Sequence, residues 1–211
     1  MAASAKSAKA GAADSNPAIG RDAVLRAALA CFMANGFHGT SMRDIAAKAG
    51  TSISTTYYYF PSKAALLRAI MVGVIQDLTA ALEAALARAG QDPAAQLAAL
   101  VRTHVRLHTE RQDESFIGNS ELRSLTATDR AEILALRDRI GTLFKQAVNR
   151  GLKQGNFASD HPAEAVMAIL TMCTAVATWY RDGGPTSPTA LADRYAMLAL
   201  RMVGSAALRP A

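Results

Sequence analysis

Between Gly36 and Ser62 the chain is punctuated so closely that only very short helices fit. Gly36 stands where a left-handed residue ends a helix. Thr40 or Ser41 can cap the next run, Met42 to Ala49, whose apolar side is Met42, Ile45, Ala46 and Ala49. Gly50-Thr51-Ser52 makes a tight turn, a third run extends from Ile53 to about Phe60, and Pro61 stops it. Upstream, Val24, Leu25, Ala28, Leu29 and Phe32 recur at three- and four-residue steps, the apolar face of a helix that starts near Ile19. Downstream, Ser62 caps a long helix reaching to about Ala89. Short helices in this order let the second brace an exposed third. Ile45, Ala46 and Ala49 must be apolar for that packing, and Gly50 permits the sharp turn between the two.

The third helix then presents Ser54, Thr55, Tyr57 and Tyr58 outward, next to Ser52, while Phe60 turns inward. Hydroxyls and phenols suit phosphate oxygens and base edges alike, so this face reads as a DNA-binding surface over Thr40 to Phe60. Tyr57 and Tyr58 are expected on DNA, and Tyr59 is expected to divide between packing and backbone contact. Thr40, at a helix N-terminus, is expected to donate its backbone N–H to a phosphate, with Ser41 and Arg43 beside it. Lys63, in the first turn of the fourth helix, is expected at another phosphate. Charge agrees. Residues 1–68 hold eight Lys/Arg against three acids, whereas the remainder is almost balanced at 15 against 14. Nearly all of the net +6 lies in the first third, as expected if one small module meets phosphates.

The rest of the chain is read as helices near 93–111, 114–125, 129–153, 161–181 and 187–207, with no alternating strand. The fold class is all-α: a three-helix helix-turn-helix head over 19–65 and a larger helical body over 66–211. Residues 1–18, small and polar, are read as a disordered arm. Cys31 and Cys173 are far apart and outside any Cys-x-x-Cys pair, which points to buried thiols. No apolar run is read as reaching the ~18 residues of a membrane span, and no secretory signal is evident, so a cytoplasmic protein is expected. His104 and His108, four apart on one helix face, lack a third ligand nearby, so they are read as a pocket-wall or surface pair rather than a metal site. No nucleophile triad, phosphate loop or paired-carboxylate motif gives an enzymatic reading residues to stand on, and no cofactor is expected.

The head resembles the TetR family of bacterial one-component regulators. The matching text is Arg21 through Leu29, Phe32, Gly36-Phe37, Thr40 through Ala46, Ala49-Gly50, Ser52, Tyr57 through Lys63 and Leu66-Leu67. Departures are Ile53-Ser54, where members often carry Lys-Gly, Thr56 in place of Leu or Ile, and Tyr59 in place of a common His. The resemblance implies a dimer that grips a palindromic operator in double-stranded DNA.

The body carries its own signals. Helix 161–181 is apolar all round, with Val166, Ile169, Leu170, Cys173, Val176 and Ala177 on one side and Met167, Met172 and Trp179 elsewhere. The last helix has two apolar lines, Leu191-Tyr195-Leu198-Met202 and Ala192-Ala196-Ala199-Val203. Two buried faces per helix suggest one against the body and one against a twin subunit. Glu121-Leu122-Arg123, Leu136-Arg137-Asp138, Phe144, Gly151, Gly155-Asn156-Phe157 and Trp179-Tyr180 are similar to a subgroup that represses lipid catabolism and responds to acyl-CoA thioesters. That resemblance implies an apolar tunnel, for which Leu100, Leu107, Phe116, Leu122, Ile140, Phe144, Met167 and Met172 are the candidates. Arg102, Arg106, Arg123 and Arg137 are the candidates for the CoA phosphates. Two rivals are a drug-responsive regulator of the same fold, which predicts acids and aromatics in the pocket, and a helical small-molecule binder with no DNA role.

Overall fold

The computed structural model describes residues 17–208, and every regular element among them is helical. The head comprises α1 (Pro17–Asn35), α2 (Met42–Lys48) and α3 (Ile53–Tyr59). Then come the long α4 (Lys63–Arg88), α5 (Pro93–Glu110), α6 (Gln112–Ser120), a 3-10 turn (Leu122–Ser124), α7 (Ala127–Lys153), α8 (Pro162–Trp179), α9 (Pro188–Met202) and a last 3-10 turn (Ala206–Leu208).

The caps follow the sequence. Ser41, not Thr40, caps α2: its hydroxyl accepts from the Asp44 N–H, and the Asp44 carboxylate accepts from the Ser41 N–H at 2.8 Å, a reciprocal box. That exchange also holds the Asp44 carboxyl below its usual range. Ser52, Ser62, Asp92, Thr126 and Ser187 cap α3, α4, α5, α7 and α9 in turn. Gly36 and Gly50 take φ of 72° and 65°, the left-handed backbone that both inter-helix turns require.

Three boundaries differ from expectation. Helix α1 opens at Pro17, inside the expected arm, whose residues 1–16 lie outside the described part. The expected helix 114–125 runs instead from Gln112 to Ser120, because the Ser124 N–H turns back to the Glu121 carbonyl at 2.9 Å and tightens the chain into a 3-10 turn. Helix α9 stops at Met202, since Gly204 (φ 59°) lies against Ala158 and the chain there pairs with the α7–α8 connection. Ala158 donates to the Val203 carbonyl at 3.0 Å and Ala206 to that of Asn156 at 2.9 Å.

Helix α4 is the axis of the molecule. Its Leu66, Leu67, Met71 and Leu82 are fully buried, packed by α1 at the head end and by α5, α6 and α7 along the body. Contrary to expectation, α4 and α8 are both long and apolar enough to cross a membrane by length and composition alone. Core packing accounts for the apolarity of α4, half of whose apolar window is buried. Helix α9 lays Ala192, Ala196, Ala199 and Val203 against the body, chiefly against α5, while Leu198 and Met202 on its other line stay over 40% exposed. Met167 and Trp179 of α8 are exposed as well, and Trp179 stacks on Tyr195. Cys31 and Cys173 are both buried and unpaired.

Candidate nucleic-acid surface and ligand cavity

The recognition face forms because α3 is short and pinned from below. Thr56 is fully buried and donates its hydroxyl to the Ser52 carbonyl at 3.1 Å, so a polar residue is satisfied where an aliphatic one is usual. Phe60 is buried beneath the helix. The opposite side carries Ser54, exposed, with Tyr57 at 48% and Tyr58 at 81% exposure. An 81%-exposed tyrosine on a rigid helix is a large amphipathic surface without an intramolecular partner for its tip. Tyr59 is half-buried, packed on the core with its ring edge-on to Tyr58 and its hydroxyl close to Gly20. The Ser52 and Thr55 hydroxyls pair with each other at 2.8 Å, and Ser52 also accepts from the Thr55 N–H. Ser41 and Arg43 are exposed at the start of α2.

Two nominated phosphate contacts are spent on the fold instead. Thr40 is 3% exposed. Its hydroxyl is shared between the carbonyls of Gly36 (2.8 Å) and Cys31 (3.1 Å), and its N–H points to the Phe37 carbonyl at 3.4 Å. It fastens the end of α1 to the turn. Lys63 donates to the Phe37 and Thr40 carbonyls at 2.5 and 2.6 Å, and its ammonium lies 4.5 Å from the Phe37 ring centroid. A cation with these partners is a brace joining α4 to the α1–α2 loop. Spacing gave Lys63 a helix first turn but did not reveal the loop that folds beneath it.

In the body, α4, α5, α6, α7 and α8 line a partly open cavity of about 520 Å3. One part is apolar: Val74, Ile75 and Leu78 of α4, Ile140 of α7, and Met167 and Leu170 of α8. Another is polar: His104, His108, Ser115, Asn119, Arg137 and the Thr171, Thr174 and Thr178 row of α8. Among the described residues no carboxylate lines it. Burial drives the imidazole of His108 down to about 4, reinforced by the Arg137 charge and opposed by its bond to the His104 carbonyl. His104 is also held far below its ordinary value by burial. Both are therefore neutral at pH 7, and His108 Nδ1 lies 3.0 Å from the His104 carbonyl, so its proton sits on that nitrogen. Burial lowers Arg137 too, although the guanidinium stays charged.

Of the twelve residues nominated for ligand, Arg137, Ile140 and Met167 reach this cavity. Leu100 and Phe144 are fully buried core, Phe144 lying edge-on to His104. Leu107, Leu122 and Met172 pack on that core from outside, and Phe116 is 36% exposed. Arg102 and Arg106 are exposed and paired with Asp193 and Glu110, at 2.6 and 2.9 Å, and Arg123 is exposed. The polar wall was missed, yet two signals pointed to it: the four-residue step from His104 to His108, and threonines at three- and four-residue steps along α8. Gly151 and Phe157 serve the backbone. A Cβ at Gly151 would lie 2.1 Å from the Phe157 ring, and Gly155 (φ 73°) turns the chain so that Asn156 and Phe157 donate back to the Gly151 carbonyl.

The family model for bacterial regulatory proteins of the tetR family matches residues 24–70, and one for a tetracyclin repressor-like C-terminal domain matches residues 90–203. The HTH-type transcriptional repressor KstR2 of Rhodococcus jostii (strain RHA1) is 30% identical over 182 residues, covering 85% of this chain and 89% of its own. The crystal structure of a tetR-family regulatory protein from Rhodococcus RHA1 superposes with a TM-score of 0.84 at 29% identity, over 89% of this chain and 98% of that one. AibR, solved in complex with isovaleryl coenzyme A and operator DNA, shares the fold: TM-score 0.77, 23% identity, 88% and 99% covered. The chain belongs to the TetR family of DNA-binding transcriptional regulators.

Proposed function

We propose that the chain is a ligand-responsive repressor. It acts in the cytoplasm as a homodimer on a palindromic operator and is released by a small hydrophobic effector, best matched by an acyl-CoA thioester. The head, residues 19–65, reads double-stranded DNA through Ser54, Tyr57 and Tyr58, with Ser41, Arg43, Ser52 and Thr55 near the backbone. The body, residues 66–211, binds effector and dimerises. The two recognition helices would then lie about one DNA turn apart, roughly 34 Å. The exposed apolar residues of α8 and α9, Met167, Trp179, Leu198 and Met202, support dimerisation through those helices, because a monomer would leave them in water.

The observation that carries the reading is that one helix serves both parts. Lys63 at the N-terminus of α4 holds the head, and Val74, Ile75 and Leu78 of the same helix line the cavity. The thioester class rests on the resemblance of the body and on the fold shared with AibR, solved with isovaleryl coenzyme A. The absence of any carboxylate in the cavity wall argues against a cationic-drug effector. Of the four arginines nominated for the CoA phosphates only Arg137 is at the cavity, so the nucleotide end would lie outside it.

The test is binding of the purified protein to genomic fragments at two salt concentrations, with and without a panel of acyl-CoAs. Salt-sensitive binding to a palindrome, released by one thioester, is the expected result. Binding that no thioester disturbs would discard the effector class, and no specific binding would discard the repressor.

A further inference from the structure

The cavity contains a positive charge that nothing in the wall neutralises. The Arg137 guanidinium is half-buried and donates from Nη2 to two neutral acceptors, the Gly118 carbonyl at 2.8 Å and Asn119 Oδ1 at 3.3 Å. Arg68, Arg102, Arg106, Arg111 and Arg139 each meet a carboxylate, whereas Arg150 and Arg194, like Arg137, bond only neutral oxygens but lie away from this cavity. Two further polar groups at the same cavity are stranded. Among the described residues three buried side-chain atoms lack a partner, and two of them, His104 Nδ1 and Ser115 Oγ, belong to residues of this wall. Leaving such groups unpaired is unfavourable. A cation without a counter-charge, beside two hydrogen-bonding atoms without partners, makes this wall receptive to an anionic molecule. Beside them stand Val74, Ile75, Leu78, Ile140 and Leu170, which ask for hydrocarbon.

We infer that the effector carries a carboxylate on its apolar, buried portion, and that Arg137 receives it with help from Ser115 and Asn119. The inference rests on reading this cavity as the effector site. A carboxylate matches the fork of a guanidinium, whereas a thioester carbonyl leaves the charge uncompensated. A cavity of about 520 Å3 holds a drug-sized body, so the anion must be on the part of the effector that enters. Two sources share this chemistry: a free fatty-acid-like monocarboxylate, and a coenzyme A monothioester of a dicarboxylic acid.

The test titrates the full-length dimer at pH 7.5 with four probes, read by calorimetry: decanoate, methyl decanoate, decanoyl-CoA and the CoA monothioester of decanedioic acid. The acid is expected to bind at least about tenfold more tightly than its methyl ester, or the decanedioyl thioester than decanoyl-CoA. Whichever pair shows the preference identifies the source. In Arg137→Met the preference should fall to about onefold while binding of the uncharged partner persists. Arg137→Lys, which keeps the cation and spares the packing, should retain part of it, and the wild-type comparison depends on no variant. Equal binding within both pairs, an undiminished preference in Arg137→Met, or no binding of either carboxylate probe would overturn the inference. If decanoate binds selectively and neither thioester binds, the anion site stands and the acyl-CoA reading falls. If decanoyl-CoA binds as well as the decanedioyl thioester and decanoate no better than its ester, the reverse holds.

Discussion

Acidification should destabilise this protein through His108 in a way that one substitution removes. Burial against α4, α7 and α8, with Arg137 nearby, lowers the imidazole to about 4 in the folded chain. Unfolded, it returns to about 6.5. Between those values the unfolded chain binds more protons than the folded one, so stability rises with pH across the window and is lost as pH falls through it. The shift of about 2.5 units corresponds to about 3 kcal/mol once pH is below 4, and about 2 kcal/mol of that is lost between pH 7 and pH 5. His104 is displaced the same way by burial and by His108, and adds to the loss. The assay is urea unfolding at pH 7 and pH 5 at one fixed protomer concentration, since dimer stability depends on concentration. His108→Gln keeps a donor for the His104 carbonyl but cannot titrate. Its acid loss should be smaller than that of the wild type by about 2 kcal/mol. Equal losses in the two proteins would mean that water reaches the ring and that the pair is not buried neutral.

Other substitutions separate fold from contact. Lys63→Met should cost about 2–3 kcal/mol of stability through the freed carbonyls of Phe37 and Thr40. It should weaken operator binding without altering the salt slope; a slope lower by about one would return Lys63 to the phosphate role. Tyr58→Ala, at an 81%-exposed position, should leave thermal stability unchanged and reduce operator affinity at least about tenfold, and undiminished affinity would remove Tyr58 from the surface. Leu198→Glu should convert the dimer to monomer in sedimentation, and a persisting dimer would exclude α9 from the interface. Gly151→Ala should cost about 1–3 kcal/mol in chemical unfolding by forcing the Phe157 ring aside, and a neutral result would mean that the ring moves freely.

Elements whose identity rests on local chemistry were legible in the sequence. The turns at Gly36 and Gly50, the stop at Pro61 and the cap at Ser62 depend on a few adjacent residues, and each lies where the sequence places it. The two lines of α9 were legible because helical period alone separates them. What residue type did not reveal was the partner each side chain takes in the fold. Thr40 and Lys63 have the residue types of phosphate ligands, but the Thr40 hydroxyl turns back to the Cys31 and Gly36 carbonyls, and Lys63 reaches the carbonyls of Phe37 and Thr40 on the α1–α2 loop. The cavity failed for the same reason. Leu100 and Phe144 are as apolar as a tunnel wall requires, yet whether an apolar residue faces a void or a neighbour is decided by five helices together. Arg102 and Arg106 lost their candidacy to Asp193, 91 residues away, and to Glu110, one turn along.

Helix α4 explains why a molecule bound in the body could be felt at the DNA. From Ile75, at the cavity, to Lys63, at the head, is about 18 Å of unbroken helix, so a small tilt at one end becomes a displacement at the other. The head is held to the body by the packing of α1 on α4 and α6 and by the His38–Ser124 contact at 3.3 Å. Near the start of α4, Arg68 ties that helix to Glu132 of α7 through two contacts of 2.6 Å. Such a pair at a partly exposed position is worth little alone, so it orients α4 without locking it. An effector therefore need not unfold anything. It need only fit one angle of α4 better than another, by the 1–3 kcal/mol typical of such coupling. A guanidinium without a counter-charge in the cavity wall supplies a source for that difference: an arrangement that closes Arg137 onto an anion is favoured only when the anion is present.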